Sequence, residues 1–375
     1  MKRIAPLIAA VLMLSGCVPH TELDKLGIAE AVGVDYDGRE YTVTVQYFNT
    51  DASGGVTAVD SSAPNVTAVS GSGETIETAL EAVSYASGSS IMLGSASVIV
   101  FGSGVSYPLI EPMRLAMSHY SGNLHAYAAA SDCPAAEIMS VKFSQGSSSV
   151  EKLKELLKNA DSIGLTRPMS VCEALERLYE PTGSVILPLL TVSEISGELS
   201  DDGKGAVIAG GALYTGGVYA GKLTDAQMSG VHLLDPSADS PRRCEMTLTL
   251  HGHDTRIMLY CIEPRVEAGM KDGRLTLDIT VNAEAKIVST ALPDPYRSRG
   301  ELEALAAQEI RSRVSDALAQ TVTKHGADPF GIEYAVRSRS PRLWSDISGD
   351  YGGYLSSADV TVTADVRMER YGVLG

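Results

Sequence analysis

The sequence is short of positive charge. Its 30 Lys and Arg stand against 46 Asp and Glu, a formal net charge of −16, so it lacks the basic surface that nucleic acid or anionic lipid headgroups require. Long apolar runs are also scarce: beyond the first stretch, no segment approaches the roughly 18 apolar residues needed to span a bilayer. Cysteine is sparse, and Cys133, Cys172, Cys244 and Cys261 stand at spacings that match no zinc framework. There is no Gly-x-Ser-x-Gly elbow, His-Glu-x-x-His helix, phosphate loop or dinucleotide fingerprint, so no residue is put forward as catalytic and no cofactor is expected. Gly210, Gly211, Gly216 and Gly217 stand in hairpin context rather than in a phosphate cradle.

Two stretches imitate metal loops without completing them. Asp35-Tyr36-Asp37-Gly38 opens like a calcium loop, but the closing Glu expected at position twelve is Gln46, which leaves an Asx-rich turn. His251, His253 and Asp254 have no third histidine or thiolate at ligand spacing and read as solvated turn residues. If Gly252-His253 is the two-residue loop of that hairpin, Cys244 and Cys261 fall opposite each other, where a disulfide is geometrically allowed. Two separate free thiols are the alternative, and the strand register decides between them.

With 44% hydrophobic and 20% charged residues the chain is globular and long enough for two or three domains. Its start is a targeting signal: Lys2 and Arg3, the apolar stretch 4–14, then Leu14-Ser15-Gly16-Cys17. The last four residues resemble the bacterial lipobox, in which small residues admit a signal peptidase just before a cysteine that takes a diacylglyceryl group. The expected mature chain therefore begins at Cys17, residues 1–16 being removed, and is held at the membrane by lipid. Each buried methylene contributes about 0.8 kcal/mol, so two or three chains make a stable anchor.

The clearest periodic segment lies near the other end. In 301–330 the apolar positions Leu302, Leu305, Ala306, Ile310, Val314, Ala317, Leu318 and Val322 recur at steps of three and four, which predicts a helix over about 301–325 with one buried face. Ser298 and Glu301 have capping-box spacing, and Gly326 closes the run. Alternating segments around Leu275–Ile287 and Val360–Met368 predict strands with one dry face. The fold class is α+β: an antiparallel sheet packed on the long helix forms the C-terminal domain, 206–375. Residues 17–196 read as an N-terminal α+β region that admits a break near 130–150, and the turn formers of 197–205 read as a linker. Trp344, the single tryptophan, stands between the helix and the last strand, either closing the core or exposed as an anchor for a partner.

Taken in order, the lipobox, Glu22-Leu23 five residues after Cys17, the GVDYDG and YTVTVQ hairpin, Gly211–Leu223, the long helix, Ala327-Asp328-Pro329-Phe330-Gly331 and Pro341-Arg342-Leu343-Trp344 resemble the Ger(x)C family. These are the GerAC-like C-subunit lipoproteins of spore germinant receptors. Val18-Pro19-His20 departs from the aromatic that usually follows the lipid cysteine. The resemblance implies several α+β domains in series and a noncatalytic subunit lipid-anchored to the outer face of the cell membrane, here the spore inner membrane. It also implies a membrane-spanning A subunit and a transporter-like B subunit as partners in nutrient-triggered germination. The competing readings are a free-standing extracytoplasmic solute-binding or surface lipoprotein, which requires a deep interdomain pocket, and an extracytoplasmic enzyme, which requires titratable groups gathered in a cleft.

Overall fold

The computed structural model describes residues 26–48, 66–102, 109–118, 122–141, 149–195, 203–235 and 242–369. The lipobox, Cys17 and the rest of the signal stretch lie outside them. The first half alternates strands and helices: β1 (Leu26–Tyr36), β2 (Tyr41–Phe48), β3 (Val66–Gly73), α1 (Ile76–Ser87), β4 (Ser90–Met92), β5 (Val98–Phe101), α2 (Ile110–Ser118), β6 (Tyr127–Ser131), α3 (Ala135–Ser140), α4 (Ser149–Ser162), β7 (Met169–Ser170), α5 (Val171–Leu178) and β8 (Val185–Glu194). Then come β9 (Lys204–Thr215), β10 (Val218–Leu223), α6 (Asp225–Leu234), β11 (Cys244–Leu250), β12 (His253–Lys271), β13 (Arg274–Thr290), α7 (Arg299–Leu318), α8 (Ile332–Arg339), α9 (Pro341–Ile347), α10 (Tyr351–Ser356) and β14 (Asp359–Met368).

The first sheet runs in the order β10-β9-β8-β6-β5-β1-β2-β3. Its centre, β1, β5, β6 and β8, is parallel, and its wings are antiparallel. A parallel centre is covered on both faces, so its strands carry unbroken apolar runs instead of alternation. Ile99 and Phe101 of β5 share one buried cluster with Ala79 and Leu80 of α1 and Leu175 of α5, while Val98 and Val100 share another with Ile138 of α3 and Leu153 of α4. The expected β1–β2 hairpin is present, with Tyr36 opposite Tyr41. Asp37 makes the Asx turn, accepting from the backbone N–H of Arg39 (2.8 Å) and Glu40 (2.9 Å), whereas Asp35 turns inward and accepts from the N–H of Ala135 at the start of α3 (3.0 Å).

The domain boundaries expected from the sequence differ from those of the sheets. β6 and β8 are neighbours in one sheet, so the first half does not divide near 130–150. The linker expected at 197–205 lies partly outside the described residues, and the strands on its two sides pair with each other: Val192 opposite Ala206, Leu187 opposite Ala212. Residues 206–223 thus complete the first sheet. The turn-rich composition that suggested a linker is that of a long hairpin connection. Packing runs across that division, since Ile186, Leu213 and Leu223 join the C-terminal core.

The second sheet has the order β11-β12-β13-β14. β11, β12 and β13 are antiparallel, but β14 runs parallel to β13 because the chain between them is a helical crossover rather than a tight turn. The long helix is there: Leu302, Ala306, Ile310, Val314, Ala317, Leu318 and Val322 are buried, and Leu305 is half-buried. Its ends depart from expectation. Ser298 gives no side-chain cap, and the last turn, 319–323, widens to a π-helix in which Thr321 donates back to the Ala317 carbonyl (2.7 Å). Glu303 accepts from the N–H of Met368 (2.8 Å) and so ties α7 to the end of β14. α6 crosses α7 at Gly230, where a Cβ would stand 2.2 Å from the Arg313 carbonyl oxygen.

Candidate functional site

Among the described residues no helix is long and apolar enough to cross a membrane, and no group of three His, Cys, Asp or Glu side chains is arranged to hold a metal ion. His251 stands in an exposed turn 3.2 Å from Glu301. The hairpin loop is His251-Gly252, one residue earlier than expected, which shifts the register by two and sets Cys244 opposite Leu259. Cys261 falls in the bulge between Tyr260 and Glu263, with φ of 49°. Cys244 is buried, its thiol pushed up to about 11 by burial, and Cys261 is exposed; both are free, so the register decides against the disulfide.

The densest polar arrangement lies where the two halves meet, around Asp328-Pro329-Phe330-Gly331. Asp328 is buried. Its carboxylate accepts from the N–H of Ile332 (2.9 Å) and Glu333 (2.7 Å) and from the Tyr351 hydroxyl (3.0 Å), so it caps α8 and ties α10 to it. Burial raises its pKa against these donors. Its own N–H donates to Thr182 Oγ1 (3.2 Å), a contact across 146 residues that pins the turn after α5 to the loop before α8. Gly331 has φ of 71°, and a Cβ there would come within 3.2 Å of an Arg177 guanidinium nitrogen. The position therefore suits glycine twice, by conformation and by space.

Beside this loop lies a cavity of about 380 Å³. Its walls combine Arg177 and Glu180 from α5 and the following turn, Val266 from β12, and Phe330, Glu333 and Arg337 around α8. Glu333 is 4% exposed and accepts from Arg337 (3.3 Å). Desolvation, and after it the neighbouring exposed Glu180 carboxyl, pushes its pKa up to about 7. Trp344 stands one layer out and is half-buried. It packs edge-on against Tyr351, ring centres 5.2 Å apart at 69°, with the Arg337 guanidinium 5.9 Å from its ring. The two roles expected for Trp344 are thus mixed, one face in the core and one available. Sequence reasoning singled out 327–331 and Trp344 but missed Glu180, Glu333 and Arg177, whose signal is purely spatial.

The chain matches the spore germination protein N-terminal domain over residues 19–192 and the spore germination B3/GerAC-like C-terminal domain over residues 209–372. It belongs to the GerAC-like spore germination proteins. This GerAC-like chain is also similar to the crystal structure of the GerBC protein, with a TM-score of 0.59 at 14% identity, covering 92% of this chain and 99% of that one. At that identity the likeness speaks for the fold, the multi-domain α+β arrangement described above. No curated protein matches. The two GerAC-like matches meet between β8 and the middle of β9, so the family's division of the sequence cuts through the first sheet.

Proposed function

We propose that the protein is the noncatalytic, lipid-anchored subunit of a spore germinant receptor. It is tethered through acylated Cys17 to the outer face of the spore inner membrane and supports nutrient-triggered germination by contacts with the membrane-spanning A and B subunits. The observation that carries this reading is the succession of the two germination-protein domains along nearly the whole chain, immediately after Leu14-Ser15-Gly16-Cys17. An acidic chain cannot hold anionic headgroups by charge, so the acyl chains supply the attachment. The polar groups at the domain junction fit a structural role, since Asp328 is spent on capping α8 and Arg337 on Glu333 and Trp344.

The test is Cys17→Ala. The variant is expected in the soluble fraction and unable to support germination through this receptor. Its retention in the membrane fraction after a high-salt wash, or germination at the wild-type rate, would sink the reading.

A further inference from the structure

The arginines around the cavity beside Gly331 are not equally engaged. Arg337 donates to Glu333 (3.3 Å) and lies over Trp344, and Arg339 donates to the Val266 carbonyl (3.0 Å). Arg265 stands out in solvent. Arg177 of α5 differs from all three: its side chain is only 19% exposed, yet among the described residues its guanidinium makes no hydrogen bond.

The acids nearest to Arg177 are already served. Asp235 stands 4.0 Å away, beyond hydrogen-bond range, and takes Arg167 at 2.8 Å instead. Asp328 accepts from the N–H of Ile332 and Glu333 and from the Tyr351 hydroxyl. The Arg177 fork is therefore spare. Water can solvate it, but a planar carboxylate matches its parallel N–H donors and pairs with them in a way that water does not.

The fold decides where that fork points. Its Nη1 lies over Gly331, 3.2 Å from where a Cβ would stand, so the missing side chain is what gives the guanidinium room at the cavity wall. None of its nitrogens is sealed from solvent. The cavity of about 380 Å³ falls within the range of about 300–1,000 Å³ typical of small-molecule sites. Leu234, Val266, Ile279, Phe330 and Ile332 supply apolar wall. Glu176 and Glu180 share the rim, but both are exposed, where water and salt screen their charge far more than that of the buried fork.

We propose that this cavity binds a small organic carboxylate, its charged end paired with the Arg177 fork and its apolar body against Leu234, Val266 and Phe330. Arg177 comes from α5, which packs on the first sheet, whereas Val266 and Phe330 belong to the C-terminal core, so an occupied site links the two. The site requires neither the acyl anchor nor receptor partners, and it stands or falls separately from the function proposed above.

Isothermal titration calorimetry on the full chain held in detergent tests this, with sodium isocaproate as the probe. Saturable binding is expected. Isocaproamide, which keeps the shape and loses the charge, and acetate, which keeps the charge and loses the apolar body, should each bind at least about tenfold more weakly. Arg177→Met keeps an unbranched stem and removes the fork; it should weaken isocaproate binding at least about tenfold while hardly moving the melting temperature, since no hydrogen bond is lost. Ala335→Trp fills the cavity from the α8 wall and should abolish binding, and it decides the matter if Arg177→Met does not fold. Absence of saturable binding overturns the proposal, as does wild-type affinity in Arg177→Met or Ala335→Trp, the result that uptake by the micelle alone would give. Acetate or the amide binding as tightly as isocaproate overturns it too. So does inorganic phosphate binding more tightly than isocaproate, which would assign the fork to phosphate groups.

Discussion

Asp328→Ala removes one acceptor group from three donors at once, the N–H of Ile332, the N–H of Glu333 and the Tyr351 hydroxyl, all on buried residues. A hydrogen bond to a charged group is worth about 1.5–3 kcal/mol, so the gross loss is about 5–9 kcal/mol. Part of it returns, because the carboxylate is itself buried and its raised pKa shows that the surroundings do not fully compensate its charge. The net expectation is a loss of about 3 kcal/mol, a large share of the 5–15 kcal/mol that holds a typical domain. Asp328→Asn keeps one carbonyl oxygen, and the Tyr351 hydroxyl can rotate to accept from the new amide. One backbone N–H then lacks its acceptor, at about 1–2 kcal/mol. Urea unfolding followed in parallel by Trp344 emission and far-ultraviolet circular dichroism measures both losses. The Trp344 signal should move first, since Tyr351 packs edge-on against its ring. An alanine variant within about 0.5 kcal/mol of wild type, or an asparagine variant as damaged as alanine, would refute the cap.

Ile310→Asp, on the fully buried stripe of α7, should unfold the C-terminal unit, while Leu305→Asp, at a half-buried position, should cost less; equal melting curves for both and wild type would show the stripe to be surface. Gly230→Val should separate α6 from α7 and lower the melting temperature, because its side chain has no room before the Arg313 carbonyl, and an unchanged melting point contradicts that packing. Trp344→Ala should cost about 2 kcal/mol, below the loss for a fully buried tryptophan, and a smaller effect with failed receptor assembly would place its role at the partner surface. Among the thiols, Cys261 should react with a thiol reagent in the native protein and Cys244 only after unfolding; simultaneous reaction of the two would contradict the burial of Cys244.

What the sequence conveyed follows the range of each interaction. The α7 stripe and the β1–β2 hairpin were legible because their signals are local, a period of three to four or two within about twenty residues. The parallel pairing of β14, the membership of β9 and β10 in the first sheet and the Thr182–Asp328 bond were not, because each joins segments that share no periodic signal. The Cys244 register turned on one residue in the loop at His251-Gly252, a choice that hydrophobic alternation alone does not make. The Asp328 loop was recognisable as a motif, but Thr182 and Arg177 reach Asp328 only through the fold.

The position of β9 bears on how the chain is made. β8 presents six consecutive buried residues, Val185–Leu190, and its outer edge is closed by β9. During synthesis that edge stays open until residues 204–215 have emerged, well past the end of the first domain as the sequence divides it. An open apolar edge is a template for pairing with another chain, so a nascent polypeptide halted near residue 200, or a fragment cut there, would expose an adhesive strand. The shortest fragment that closes the edge ends after Thr215, and it would still show solvent the faces of Ile186 and Leu213 that pack on the C-terminal unit.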